Sequence, residues 1–296
     1  MPELPEVETI RMGFEKYLVG KTIEDVEVRL PKIIQSGNIK NLVGGKIIKI
    51  RRFGKVLVLD LDYKLSLVVH IKLTGQFIYQ GPDRPKESEI SKKYVGNVPN
   101  RFTHVIIKLK SQNSKVKSGQ TSFLYYNDIR QFGWIRVVPT DEVEKSPFID
   151  KLGPDPIRLS SQVTLTLDNF RQILESKKTA IKVLLMDQKK IGGVGNIYAN
   201  DALFLAGIDP RRPAGKLLSH EAMKLYWAII EVLKRGLKYG GATEANYVNI
   251  LGEPGGYQKH FLVYGKENQP CPNCGGKIIK TRINGRGTYF CPHCQK

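Results

Sequence analysis

All four cysteines of this 296-residue chain fall at its end, in "CPNCGGKIIKTRINGRGTYFCPHC", and no other feature restricts the possible folds as strongly. Cys271 and Cys274 form one CxxC pair, Cys291 and Cys294 the other. Each pair sets two thiolates on one tight turn, and two such turns can close a tetrahedron around Zn²⁺. Between them, "KIIKTRI", a glycine turn and "TYF" have the composition of a hairpin. Two disulfides and a redox pair are the competing readings; an intracellular setting disfavours disulfides. Four thiolates leave no open coordination position, so the zinc expected here is structural and His293 is spare. The segment is basic without an acidic residue, and Arg286 at its turn is a candidate phosphate contact.

Charge points the same way. Lys and Arg number 47 against 28 Asp and Glu, a formal net charge of +19. That excess suggests a polyanionic partner, nucleic acid ahead of an anionic membrane surface. A lysine-rich surface without a partner is the plainer alternative. No apolar run approaches the roughly 18 residues of a membrane span. Glu3 interrupts any secretory pattern at the start, so an intracellular protein is expected.

The hydrophobic pattern divides the chain. "PEVETIRMGFEKYLVG" carries Val7, Ile10, Phe14, Tyr17 and Leu18 at helical spacing, with Pro5 suited to a first turn and Gly20 to a stop. Next, "KTIEDVEVRL", "GGKIIKIRRFGKVLVLDLD", "YKLSLVVHIKLTGQFIYQG", "RFTHVIIKLK" and "TSFLYYNDIRQFGWIRVVP" read as strands of a sandwich or barrel. The polar stretch from Pro82 to Asn100 and the tip "SQNSKVKSGQ" read as surface segments of little chemistry. After the Pro/Gly-rich boundary "KLGPDPIRLS" come four helical segments, among them "TAIKVLLMDQ" and "NIYANDALFLAG". In "KKIGGVGNIYANDALF", Gly192, Gly193 and Gly195 precede a helix start, where backbone N–H groups favour an anion. Asn196 is expected either to cap that helix or to reach phosphate. A plain tight turn accounts for the glycines equally well, and no strand enters the loop as a nucleotide fingerprint requires.

Three motifs, "MPELPEVE", "GGVGNIYANDALF" and "CPNC…CPHC", occur in this order from the first residue to the last. Together they resemble the bacterial formamidopyrimidine-DNA glycosylase family of base-excision repair enzymes. "PELPE" is closer to that family than to the related endonuclease VIII group. The resemblance implies an α+β chain with an N-terminal β-sandwich flanked by helices, a helix–two-turn–helix domain and a zinc-finger β-hairpin. Its expected boundaries are 1–139 for the sandwich, 140–160 for a linker, 161–265 for the helical domain and 266–296 for the finger. The loop 241–259 would cover a flipped purine and is assigned to the helical domain.

The family also gives the opening residues a role. Without Met1, Pro2 becomes a secondary amine able to attack an anomeric carbon and form an iminium. The positive end of the following helix disfavours its ammonium form. The resemblance implies Pro2 as nucleophile, Glu3 as acid/base, Glu6 as holder of the N-terminus, and Lys55, in the "RRFGKVLVLDL" strand, as a further catalytic-site residue. Good helix-start chemistry accounts for the same prolines and glutamates on their own. His70, Asn196, Tyr264 and Arg286 match the family's phosphate contacts. Leu73, where the family has Met, joins Arg130 and Phe132 as the wedge filling the void of an extruded base. Lys72 and Gln131 also depart from common family versions, and His104 alone persists from a basic-His motif. The implied protein is a monomeric, cytoplasmic, nucleoid-associated bifunctional glycosylase and lyase. Its implied partner is double-stranded DNA carrying oxidised purines, paired with cytosine. An enzyme for oxidised pyrimidines and a non-catalytic damaged-DNA binder are the alternatives.

Overall fold

The computed structural model describes residues 1–86, 88–111, 121–157 and 163–296, with Ile90 and Ser111 described by backbone alone. The expected hairpin tip at 112–120 and the end of the Pro/Gly boundary, 158–160, lie outside the described residues. The chain forms two compact units: Met1–Asp150 with Tyr239–Gln258, and Lys151–Lys238 with Lys259–Lys296.

The first unit is a sandwich with a leading helix. Helix α1 spans Leu4–Leu18. Strands β1 (Lys21–Val28), β2 (Ile34–Ser36), β3 (Ile47–Phe53), β4 (Val56–Leu61), β5 (Leu65–His70) and β6 (Gly75–Gln80) follow. Then come a short helix α2 (Glu89–Val95) and strands β7 (Thr103–Ser111), β8 (Thr121–Asp128) and β9 (Trp134–Pro139). One sheet has the order β1-β7-β8-β6 and the other β2-β9-β5-β4-β3. All neighbours are antiparallel except β2 and β9.

Period-two alternation explains the layers. Phe77 and Tyr79 of β6, Val105 and Ile107 of β7, and Leu124 and Tyr126 of β8 enter the main core with β3, β4, β5 and β9. The intervening Ile78, Ile106 and Tyr125 point the other way, where Val248, Val95 and Val98 cover them. The periodic face of α1 supplies Val7, Ile10, Phe14, Tyr17 and Leu18 to the main core. Phe14 meets Phe77 edge-on at 5.0 Å, and Tyr17 stacks on Tyr79 at 5.3 Å.

Helix α3 (Pro147–Asp150) closes the first stretch of the sandwich unit, and the second unit holds α4 (Leu167–Leu174), α5 (Ile181–Met186), α6 (Asn196–Ala206) and α7 (Ser219–Lys238). Gly207, at φ 73°, ends α6 in the left-handed conformation that glycine adopts without a Cβ penalty. A hairpin of β10 (Ile279–Ile283) and β11 (Arg286–Phe290) turns through Asn284 and Gly285, both at positive φ, as an Asn-Gly two-residue turn requires. Among the described residues, no helix is long and apolar enough to cross a membrane.

Two expectations change at this level. The segment Tyr239–Gln258 belongs with the sandwich unit, although the sequence reading gave the loop 241–259 to the helices. Its side chains explain why: Ile250 and Tyr247 join the sandwich core, and the Tyr79 N–H donates to Ile250 O at 2.7 Å. The polar stretch from Pro82 to Asn100 is also more than surface. Arg84 and Ser91 both donate to Leu251 O, at 2.7 and 3.0 Å, so this stretch clamps the same loop.

Candidate functional site

The N-terminus is not frayed. Pro2 and Glu3 are buried, with Glu3 at the N-cap of α1. Glu3 and Glu6 form a capping box, the Glu3 N–H donating to Glu6 Oε2 at 2.7 Å. Glu6 Oε1 accepts the Ala242 N–H, also at 2.7 Å. One buried carboxylate thus ties the start of the chain to the loop that begins at Tyr239. Gly241 allows that approach, since a Cβ there would stand 2.9 Å from Glu6 Oε1. Burial first, and the Glu6 charge second, push the Tyr247 phenol up from its ordinary range, and its hydroxyl donates to Gly240 O at 3.0 Å.

Lys55 departs from its sequence assignment. The long run "GGKIIKIRRFGKVLVLDLD" breaks into β3 and β4, and Lys55 sits in the two-residue turn between them, after Gly54 at φ 53°. It is 5% exposed. Arg52 fixes the turn by donating to Gly54 O at 3.0 Å and to Glu8 Oε2 at 2.6 Å. Glu8 lies on α1, so helix, ion pair and turn form one rigid series from the N-terminus to Lys55. Sequence reasoning missed Arg52 and Glu8 because their separation along the chain carries no periodic signal.

His70 ends β5 opposite Trp134. Burial first, then the charges of Lys72 and Lys55, lower its pKa to about 3. The ring is therefore neutral at physiological pH. Its Nδ1 accepts the Lys72 N–H at 3.1 Å, which leaves Nε2 as the N–H donor. The influence of Lys55 on His70 also brings these two candidates together.

The wedge candidates lie on the two turns that break the remaining strand runs. Leu73, between β5 and β6, is partly buried. Arg130 and Phe132, between β8 and β9, are exposed, Phe132 by 53%. A core role for Phe132 is thereby ruled out. The Arg130 guanidinium lies over the Phe132 ring, 4.8 Å from its centroid. His104, the remnant of the basic-His motif, is buried against Asp128 O with Nε2 2.7 Å away.

In the second unit, Gly195 and not Asn196 is the N-cap of α6, so Asn196 opens the helix as its first residue and does not cap it. Gln188 braces the glycine loop, accepting the Gly193 N–H at 2.9 Å and donating to Val194 O at 2.7 Å. Along α6, buried Asp201 accepts the N–H groups of Leu262, Val263 and Tyr264 at 3.1, 3.0 and 3.3 Å, which seats Tyr264. Asn200 accepts the Tyr289 N–H at 2.8 Å, and Lys182 of α5 donates to Gly287 O at 2.8 Å and Thr288 Oγ1 at 2.7 Å. Helices α5 and α6 therefore hold the hairpin whose turn presents Arg286 to solvent.

The four cysteine Sγ atoms lie within 4.8 Å of one another. Cys271 and Cys294 are 3.8 Å apart, Cys274 and Cys291 3.6 Å. Zn–S bonds of about 2.3 Å in a tetrahedron require sulfurs about 3.8 Å apart. The set fits one structural zinc, and these separations are far beyond a disulfide bond. His293 is exposed and stands outside the set.

With this geometry, the comparisons are consistent along the whole chain. Residues 1–135 match the formamidopyrimidine-DNA glycosylase N-terminal domain, 152–247 its H2TH domain, and 268–296 a zinc finger found in FPG and IleRS. A formamidopyrimidine-DNA glycosylase of Pelotomaculum thermopropionicum is 38% identical over 300 residues, covering 100% of this chain and 99% of the relative. A mutant Lactococcus lactis FPG, solved with DNA containing Fapy-dG, superposes with a TM-score of 0.83 at 32% identity over 100% of both chains. The Lactococcus lactis Fpg with DNA containing an abasic site gives a TM-score of 0.82 at 31% identity over 99% of each chain.

Proposed function

Because the chain belongs to the formamidopyrimidine-DNA glycosylase family, we propose that Pro2 is the nucleophile with which it removes oxidised purines from DNA and cleaves the strand. The protein is a DNA glycosylase and abasic-site lyase of base-excision repair, with one structural zinc. The observation that carries the assignment of Pro2 is its setting. A buried imino acid stands directly before a capped helix, and Glu6 ties the next residue, through the Glu3 N–H, to the Ala242 N–H.

In this reading the initiator Met1 is removed and the Pro2 nitrogen attacks C1′ of the damaged nucleotide. The glycosidic bond breaks and the base leaves with the bonding pair. Glu3 takes the proton that the attacking nitrogen gives up and delivers it to the ring oxygen as the sugar opens, the freed nitrogen lone pair completes the iminium, and solvent protonates the departed base. The iminium acidifies the adjacent C2′ hydrogen, whose loss expels the 3′ phosphate; a second elimination expels the 5′ phosphate. Lys55 and neutral His70 offer a cation and an N–H donor toward the reacting nucleotide's phosphates. Leu73, Arg130 and Phe132 fill the void, with Arg130 reading the orphaned cytosine. The loop from Gly241 covers the extruded purine. Asn196, Tyr264 and Arg286 hold backbone phosphates, which position the duplex without reading its sequence.

Borohydride trapping tests the assignment. Processed protein incubated with an 8-oxoguanine duplex and reductant should yield a covalent adduct that peptide mapping places on residue 2. Absence of an adduct from protein that still binds the duplex would leave a DNA-binding protein without this chemistry.

A further inference from the structure

We propose that Asp128 and Thr74 are positioning residues that hold the two wedge loops in fixed register; the inference rests on the wedge reading of Leu73, Arg130 and Phe132. Asp128 closes β8 with 0% exposure, and its carboxylate is surrounded by donors from both loops. The Thr74 hydroxyl donates to Oδ1. The Arg130 N–H reaches Thr74 Oγ1 at 3.0 Å and Asp128 Oδ1 at 3.2 Å. Oδ2 accepts the Gly133 N–H at 2.8 Å and faces the Tyr126 hydroxyl at 3.4 Å. Thr74 follows Leu73 directly, while Arg130 and Gly133 bracket Phe132. One buried group therefore fixes the turn before β6 and the turn before β9 together.

The backbone on both sides carries strain that this network offsets. Lys72 has φ 50° and Gln131 φ 56°, neither being glycine. Residues other than glycine persist at such angles only where their surroundings over-determine them. Both departures lie next to wedge residues, and both loops hydrogen-bond to Asp128. Close packing adds to the constraint: a Cβ at Gly133 would run into the Tyr126 hydroxyl, and one at Gly75 would stand 2.7 Å from it. His104 braces the same point through Asp128 O, at 2.7 Å. That gives the "RFTH" histidine a place in the wedge support.

The chemistry explains why register matters. An extruded base leaves one gap, and a side chain from each loop must enter it together. A misplacement of about 1 Å can cost on the order of a hundredfold in rate. An abasic site has no base to displace, so its cleavage depends less on the wedge.

The test compares Thr74→Val, which keeps the shape and removes the hydroxyl, with Thr74→Ser, which restores it. Two single-turnover rates are read: 8-oxoguanine excision from a duplex, and cleavage at a preformed abasic site. Thr74→Val should slow excision roughly tenfold or more while abasic cleavage stays within about threefold. Thr74→Ser should recover excision. Asp128→Asn should show the same split, with a narrower preference for cytosine over adenine opposite the lesion. Equal losses in both reactions, no loss in either, or failure of serine to restore excision would overturn the assignment. If the unaltered enzyme does not excise 8-oxoguanine at all, the wedge reading fails before this one is reached.

Discussion

Arg52 and Glu8 are 0% and 1% exposed at their side chains and pair at 2.6 Å. Buried pairs add little net stability, yet breaking one strands a charge at about 3–5 kcal/mol. Glu8 keeps Arg11, whose Nε stands 2.8 Å from its Oε1, so Arg52→Met should lower the unfolding free energy by about 3 kcal/mol or less in a urea melt, the low side of that cost. Because Arg52 also holds Gly54 O, lyase activity at temperatures where the variant is folded should fall as well. His70 gives a pH prediction. Its pKa is lowered to about 3 in the folded chain, against about 6.5 unfolded. From pH 6.5 down to 3 the unfolded chain takes up a proton that the folded chain refuses. The contribution of His70 is complete above pH 6.5 and is lost on acidification at roughly 1 kcal/mol per pH unit. His70→Gln should flatten the stability curve over that window, and an unchanged slope would count against a neutral His70. At this scale the sequence was legible where chemistry is contiguous. Pro2, Glu3 and Glu6 share one helix start, and the cysteine pairs share one segment. Arg52, Asp128 and Asp201 could not be read, because each partners groups brought near only by folding.

Elements were read well where one period dominates. The face of α1, the strand runs of the sandwich and the final hairpin all appear at their expected places. Breaks inside continuous apolar runs were harder. The β3–β4, β5–β6 and β8–β9 turns carry Lys55, Leu73 and Phe132, and only the first is marked by a glycine entering it. The loop after α7 was given to the helical domain because its ties to the sandwich are two isolated apolar side chains, Tyr247 and Ile250, and otherwise backbone atoms. Leu251 O, Ile250 O and the Asn246 carbonyl, the last held by Gln76 at 2.5 Å, leave no trace in a hydrophobic pattern. Gly252, at φ 80°, lies where a Cβ would run into Ser91 Oγ and stand 3.0 Å from Val95 Cγ2. Gly252→Ala should accordingly loosen the clamp by at least about 1 kcal/mol. Hydrogen exchange in 249–253 would then accelerate roughly fivefold or more, with β4 and β5 unchanged. Equal exchange in both proteins would mean that α2 does not restrain the loop.

For the molecule as a whole, the +19 charge and the zinc hairpin pull in one functional direction. Each phosphate neutralised contributes about 0.9 to the slope of log affinity against log salt. Arg286→Ala should weaken binding to every duplex sequence and lower that slope by roughly one such unit, whereas a change confined to damaged DNA would place Arg286 elsewhere. Metal removal separates the two units. The sandwich core draws on α1, the nine strands of the two sheets and the loop after α7, without a cysteine among its residues. The finger has its own small core, in which Cys271 and Cys291 pack with Phe204 of α6, Val263 and Ile278. Without zinc, that core has four thiols in place of a closed site, and its folding free energy falls by much of the metal-binding term. The hairpin, Tyr264 and the α6 contacts that seat them should loosen together, while the sandwich retains every group that holds it. Treatment with a chelator should thus abolish duplex binding first, with sandwich melting still visible as a separate transition by calorimetry or exchange. Restored zinc should bring binding back. A single transition, in which binding and the β-rich unit are lost together, would mean that the metal supports the whole chain.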